Sequence, residues 1–161
     1  MKYEDYLENH KNELSDREKA FKRIKKKKPK NLDEVFHSAH EKAFDSIDCL
    51  ECANCCKTTS PIFRDVDIKR ISKKLKETPE SFETQYLRKD EEGDWVLKSS
   101  PCVFLLADNT CFIYDDRPMA CREYPHTDRK RMNQIMDLTM KNGEICPAVS
   151  KIIGEVVREF S

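Results

Sequence analysis

Four of the chain's eight cysteines fall within C-L-E-C-A-N-C-C, Cys49 to Cys56, and the other four are Cys102, Cys111, Cys121 and Cys146. Thiolates separated by two residues are aimed by one short turn at a common metal ion. Cys49, Cys52 and Cys55 form two overlapping pairs of this kind. Three cysteines so spaced also suit a 4Fe-4S cluster, whose fourth ligand can be a remote cysteine followed by proline. Cys146 precedes Pro147. A disulfide between the neighbours Cys55 and Cys56 would need a strained ring. The opening residues, M-K-Y-E-D-Y-L-E-N-H, are acidic and lack an apolar signal core, so a cytoplasmic location is expected. In a reducing compartment, eight thiols favour metal or redox chemistry over disulfides.

Geometry constrains how the thiols divide. Adjacent side chains diverge, so Cys55 and Cys56 are not expected to share one mononuclear ion. The eight can serve one polynuclear centre or two neighbouring ones. One division assigns Cys49, Cys52, Cys55 and Cys146 to a first centre. Cys56, Cys102, Cys111 and Cys121 then form a second. Metal ligands are thiolates, so such a core is negative and needs cations nearby. Lys57, Arg64, Arg117 and Arg122 lie closest in sequence, with Arg122 directly after Cys121. His126 is a further candidate ligand or proton carrier, whereas His37 and His40 read as helix-surface histidines rather than ligands.

These residues need elements to position them, and the composition sets what those can be. At 161 residues, with 38% hydrophobic and 37% charged residues, the chain has little apolar material for a core. A metal is one of the usual supplements to such a core. Residues 1–30 read as a charged extension, helical until it ends in R-I-K-K-K-K-P-K. Residues 31–161 read as the cysteine domain. Asn31 with Glu34 resembles a capping box opening a helix whose inner face is Leu32, Val35, Phe36, Ala39, Ala43 and Ile47. A second amphipathic helix is expected to turn Val66, Ile68, Ile71 and Leu75 inward. Thr78 and Pro79 start a third helix, carrying Phe82, Tyr86 and Leu87. W-V-L-K reads as a short strand, and C-V-F-L-L with C-F-I-Y as an antiparallel hairpin around Asp108 and Asn109. R-P-M-A-C-R-E-Y-P reads as a short turn started by Pro118, presenting Cys121 and ended by Tyr124 and Pro125. Ile145, Val149, Ile152, Ile153, Val156, Val157 and Phe160 give a C-terminal helix, with Pro147 near its first turn. The expected fold is a small, metal-stabilised α+β domain, mainly helical, with irregular cysteine-rich segments.

Taken together, C-L-E-C-A-N-C-C, P-C-V-F-L, C-F-I-Y-D-D-R-P-M-A-C-R-E-Y-P and I-C-P-A-V resemble the YkgJ-type cysteine-cluster family. The resemblance spans about Cys49 to Val149 and takes in all eight cysteines. It implies zinc or iron chelation by those eight residues, and it makes flagellin lysine N-methylase a distant relative. The leading expectation is a metal-binding protein whose zinc or iron organises the fold. An iron–sulfur redox or methyl-transfer protein is the alternative, although no cofactor loop or nucleophile–base pair is recognisable. A nucleic-acid module using Lys25 to Lys28 is the second alternative. Zero net charge and the lack of aromatic residues among those lysines argue against it. No run approaches the roughly 20 apolar residues needed to cross a bilayer. A protein partner or substrate is expected, but no residue pattern specifies it.

Overall fold

The computed structural model describes residues 2–161 and is mainly helical, with one small antiparallel sheet. In chain order its helices are α1 (Glu4–Asn12), α2 (Leu14–Lys27), α3 (Leu32–Ser46), α4 (Cys49–Cys52) and α5 (Asn54–Thr58). They continue with α6 (Asp65–Lys74), α7 (Pro79–Tyr86), α8 (Met119–Glu123), α9 (Met136–Asn142) and α10 (Pro147–Glu159). Strands β1 (Leu87–Lys89) and β2 (Trp95–Leu97) follow α7. The chain divides into two units: Met1–Cys52 with Pro125–Ser161, and Ala53–Tyr124. None of the described helices is long and apolar enough to cross a membrane.

The first unit is a helical assembly around α3 and α10. Leu32, Phe36, Ala39, Ala43 and Ile47 of the α3 stripe are buried, and Val35 packs against them half-exposed. Val149, Ile152, Ile153 and Val156 of α10 are fully buried, with Pro147 at the first helical position as the sequence suggests. Asn31 occupies the N-cap of α3, but its side chain makes no capping bond. Asp33 is the polar residue that matters there. Its carboxylate accepts the backbone N–H groups of Arg131 (2.9 Å) and Met132 (2.8 Å).

The charged segment before Asn31 is helical, as its composition implies, and belongs to this unit. Ala20, Phe21 and Ile24 of α2 are buried, Phe21 and Ile24 in the same core as Phe36 and Val156. Sparse apolar residues at helical spacing suffice to dock a helix that is otherwise charged. α1 contributes a buried polar group instead. His10 is 1% exposed, and its Nδ1 accepts from the Arg17 guanidinium at 3.1 Å. Its Nε2–H therefore donates to the Met140 carbonyl at 3.2 Å. Arg17 also donates to the Ser150 carbonyl (2.9 Å) and pairs with Glu13. The site is tight: a Cβ on Gly143 would lie 2.7 Å from the His10 ring and from Ile153 Cδ1.

Burial, reinforced by Arg17, holds His10 below the ordinary histidine pKa, while the Met140 carbonyl, Glu144 and Glu18 oppose this more weakly. The unfolded chain therefore binds the proton first as pH falls below about 6.5. The contribution of neutral His10 is complete above that pH and is lost on acidification toward its folded value. Thermal melts across pH 5–8 are expected to show a steeper acid-side loss in the wild type than in His10→Gln. The difference has a limit of about 1.4 kcal/mol per pH unit. Parallel profiles for the two proteins would refute it.

The second unit has a smaller core of Phe63, Ile68, Ile71, Phe82, Leu87, Leu97, Phe104 and Ile113. Phe82 stacks on Phe104 with ring centroids 6.2 Å apart. Thr78 caps α7 by accepting the Ser81 N–H at 3.1 Å, and Pro79 takes the first helical position. Leu87 leaves α7 and begins β1, pairing with Leu97 while Lys89 pairs with Trp95. The sheet is therefore the 87–97 hairpin, turned at Gly93 with φ +83. The expected hairpin turns at Asp108 and Asn109 as predicted, but holds only the isolated bridge Leu105↔Cys111 in place of paired strands. α6 also departs from expectation. Val66 is 59% exposed, and Asp67 is buried in its place.

Candidate metal centre

Each unit gathers its own set of thiols. In the first, Cys49 and Cys52 are the ends of the single turn α4, so both face one side. Asp48 starts that turn. Its side chain accepts the Leu50 N–H at 2.9 Å, and its carbonyl accepts those of Glu51 and Cys52. The N-terminal residues pin the turn from outside. Tyr3 Oη donates to Glu51 at 2.7 Å and accepts the Asp48 N–H at 3.3 Å, and Lys2 pairs with Glu51 at 2.6 Å. Nothing in the spacing of residues 2 and 3 signals this role. Cys49 opens onto a cleft of about 580 Å³ lined by Lys2, Tyr3, Asp45, Asp48 and Glu51.

Cys146 is the N-cap of α10, held by its own N–H to the Asn142 carbonyl at 2.8 Å. Burial pushes its thiol up to about 12, and Cys49 and Cys52 add to the rise. The backbone N–H groups of Val149 and Ala148 oppose it. These three sulfurs thus sense one another across almost a hundred residues of chain. Half-buried Cys146 packs against the core of this unit.

In the second unit, α5 follows Ala53, which takes the left-handed conformation at φ +48. α5 carries Cys55 and Cys56, and the Cys55 carbonyl accepts both the N–H and the hydroxyl of Thr59. The Cys56 carbonyl accepts the Cys102 N–H at 2.8 Å, joining the cysteine run to the P-C-V-F-L segment. Cys111 enters through its bridge to Leu105, and Cys121 sits on α8 with its N–H on the Pro118 carbonyl at 2.9 Å. Pro118 thus starts the turn that presents Cys121, and Tyr124 ends it, as the R-P-M-A-C-R-E-Y-P pattern implies.

The electrostatics mark Cys56, Cys102, Cys111 and Cys121 as one group. Burial pushes Cys121 up to about 12, with Cys56, Cys102 and Cys111 adding to it and Arg117 opposing. Cys102 and Cys111 are raised by burial and by Cys56. Cys56 is the exception. A hydrogen bond from Cys55 brings it down to about 7 against the effect of burial, helped by Arg117. Within this group of four it is the thiol that most readily becomes a thiolate.

Of the neighbouring cations, Arg117 is the one that lowers the pKa values of these thiols. Arg117 stands over the Tyr114 ring, 3.8 Å from its centroid, and donates to the Tyr114 carbonyl. Arg122 donates instead to the carbonyls of Asp115 and Arg117. Arg64 lies 3.7 Å from Asp67. The histidines of α3 are held structurally. His37 donates to the Arg129 carbonyl (2.9 Å), and His40 bonds Thr127 (2.7 Å). His126 adopts φ +64 within the first unit.

The residue that sequence reading missed is Asp67. Fully buried, it accepts the N–H groups of Arg64 (3.0 Å) and Met119 (3.2 Å) and pairs with Arg70 at 2.9 Å. Met119 begins α8, so Asp67 ties α6 to the helix that carries Cys121. Arg70 extends the tie, donating to the carbonyls of Asp116 and Arg117. An acidic residue at the third position of a helix is a legible sign of N-terminal pairing. Its burial is not.

The donors suit a thiophilic metal. All eight cysteines are outside disulfides, sulfur dominates both groups, and a cation faces the larger one. Among the described residues, no group of three or more His, Cys, Asp or Glu side chains is placed to hold a metal ion. No curated protein and no solved structure matches the chain. The family model CxxCxxCC, described as "Putative zinc- or iron-chelating domain", matches residues 48–147. With that stretch covering well over half of its 161 residues and all eight cysteines, the chain belongs to the CxxCxxCC family.

Proposed function

We propose that the protein binds zinc or iron through its eight thiolates, in two sets, and that the metal organises the fold. The mutual electrostatic coupling of Cys56, Cys102, Cys111 and Cys121 beside Arg117 carries this reading. Four thiolates with no open position are the ligand set of a structural tetrahedral site. A divalent ion there leaves two negative charges, which Arg117 partly offsets. Cys49, Cys52 and Cys146 form the other set, within the first unit. Cys55 is assigned by experiment to the set whose metal its serine variant loses.

The test is anaerobic purification followed by elemental analysis and an absorption spectrum. Colourless protein with stoichiometric zinc makes the sites structural zinc; brown protein with visible charge-transfer bands and iron makes them iron–sulfur. Cys121→Ser is expected to remove metal from the four-thiolate set, and Cys146→Ser from the other. Metal content unchanged in both variants would overturn the proposal.

A further inference from the structure

Two basic runs almost a hundred residues apart meet on the first unit. Arg23, Lys25, Lys26, Lys27, Lys28 and Lys30 surround the end of α2, and Arg129, Lys130 and Arg131 form the second run. Asp33, three residues after Lys30, joins them by accepting the backbone N–H groups of Arg131 and Met132. His37 holds the Arg129 carbonyl, and Lys25 reaches Asp137 at the start of α9 (3.1 Å). The nine cationic side chains are exposed, while Ile24 and Met132 between them turn into the core.

Lysines in the last turn of α2 also favour the helix dipole. That explains Lys25 to Lys27 but neither Lys28 and Lys30, beyond the helix, nor the second run. The Lys25–Asp137 pair is exposed and worth little, so it yields to a stronger anion. Zero net charge for the whole chain conceals a local excess of positive charge here, the nine cations outnumbering Asp33, Asp128 and Asp137 beside them.

We propose that this surface binds the phosphate backbone of duplex nucleic acid, independently of base sequence. Neither run carries an exposed aromatic side chain, so single strands have no stacking platform. Neither carries an exposed large apolar side chain, so insertion into a bilayer has no anchor. Closely spaced cations without apolar partners match the dense, regular charge of a duplex. The contacts position the protein and read no bases.

The experiment titrates the metal-loaded full chain against a short, labelled, random-sequence DNA duplex, following anisotropy at several salt concentrations. A plot of log K against log salt is expected to have a slope of about −4 or steeper. The triple variants Lys26→Gln/Lys27→Gln/Lys28→Gln and Arg129→Gln/Lys130→Gln/Arg131→Gln are each expected to flatten that slope by about 2–3. Because Asp33 bonds the backbone of residue 131, the second triple variant keeps that tie. Lys130→Gln alone, with an unchanged melt, is expected to flatten the slope by about 0.9. Three results overturn the proposal: no duplex binding at about 50 mM salt, duplex binding indifferent to residues 129–131, or binding to phosphatidylserine vesicles without binding to duplex.

Discussion

Chelation of the metal under reducing conditions is expected to abolish cooperative unfolding of Ala53–Tyr124, while the helical unit keeps its protected amides. The asymmetry follows from the two cores. Among the described residues, fifteen buried side chains form the core of the helical unit and eight form that of Ala53–Tyr124. The smaller core has Cys102 and Cys111 packed against it, so the sulfurs continue the same wall. Structural zinc contributes about 10–16 kcal/mol of apparent binding energy in small zinc domains. Whole domains are stable by only about 5–15 kcal/mol. A unit with eight core residues that loses a term of that size is expected to lose its fixed packing. Each bound cysteine must also give up a proton, and burial has pushed Cys121 and Cys146 up to about 12. Metal affinity should therefore fall as pH drops. Hydrogen exchange resolved by segment, before and after verified metal removal, checks this. Amides around Ile71 and Phe82 should lose protection, and those around Phe36 and Ile152 should retain it. Retention in both would show that the metal does not organise the fold.

What could be read beforehand, and what could not, follows from how local each signal is. The cysteine run itself was legible from its spacing, but the expectation that adjacent thiols diverge does not hold at Cys55 and Cys56, whose side chains are hydrogen-bonded. The stripes of α3 and α10 were legible because a 3.6-residue period records burial directly. On α6 the same period misled at one position. Val66 is exposed because its neighbour Asp67 is needed inside by three donors, one of them Met119, some fifty residues away. The Asn31–Glu34 pattern marked the start of α3 correctly, yet Asp33 makes the bonds there, to a segment a hundred residues on. Charge likewise hid the docking of α2. Its composition describes the solvent face, whereas Phe21 and Ile24 on the other side fix its place. The misses at Asp33 and Asp67 are polar groups with a partner remote in sequence.

Asp67→Asn is expected to destabilise Ala53–Tyr124 by about 1–3 kcal/mol, the usual effect of leaving buried hydrogen-bonding groups unsatisfied, since the Arg70 left behind is 34% exposed. The substitution keeps the shape but removes the charge. It also turns an NH2 group toward donors that have no acceptor to replace the lost oxygen. In the wild type, burial pushes the Asp67 pKa up. The Arg64 N–H, the Arg70 guanidinium and the Met119 N–H outweigh this and hold it below the ordinary carboxylate value. The stabilisation is therefore complete above the unfolded value of about 3.9 and is lost as pH falls through the folded one. Urea titrations of the metal-loaded protein measure the loss, and the acid limb of the profile should be shallower in the variant. The second consequence is at the metal. Because Asp67 holds the first residue of α8, loosening it frees the turn that presents Cys121. Supports of ligating residues typically contribute 10–100-fold to affinity, so chelator competition should show a loss of about that size. Arg70→Met is the milder companion if Asp67→Asn does not fold. It leaves both backbone N–H groups on Asp67 but removes the tie to the Asp116 and Arg117 carbonyls. A metal affinity equal to wild type in a folded Asp67→Asn or Arg70→Met protein would separate this buried aspartate from the thiolate site.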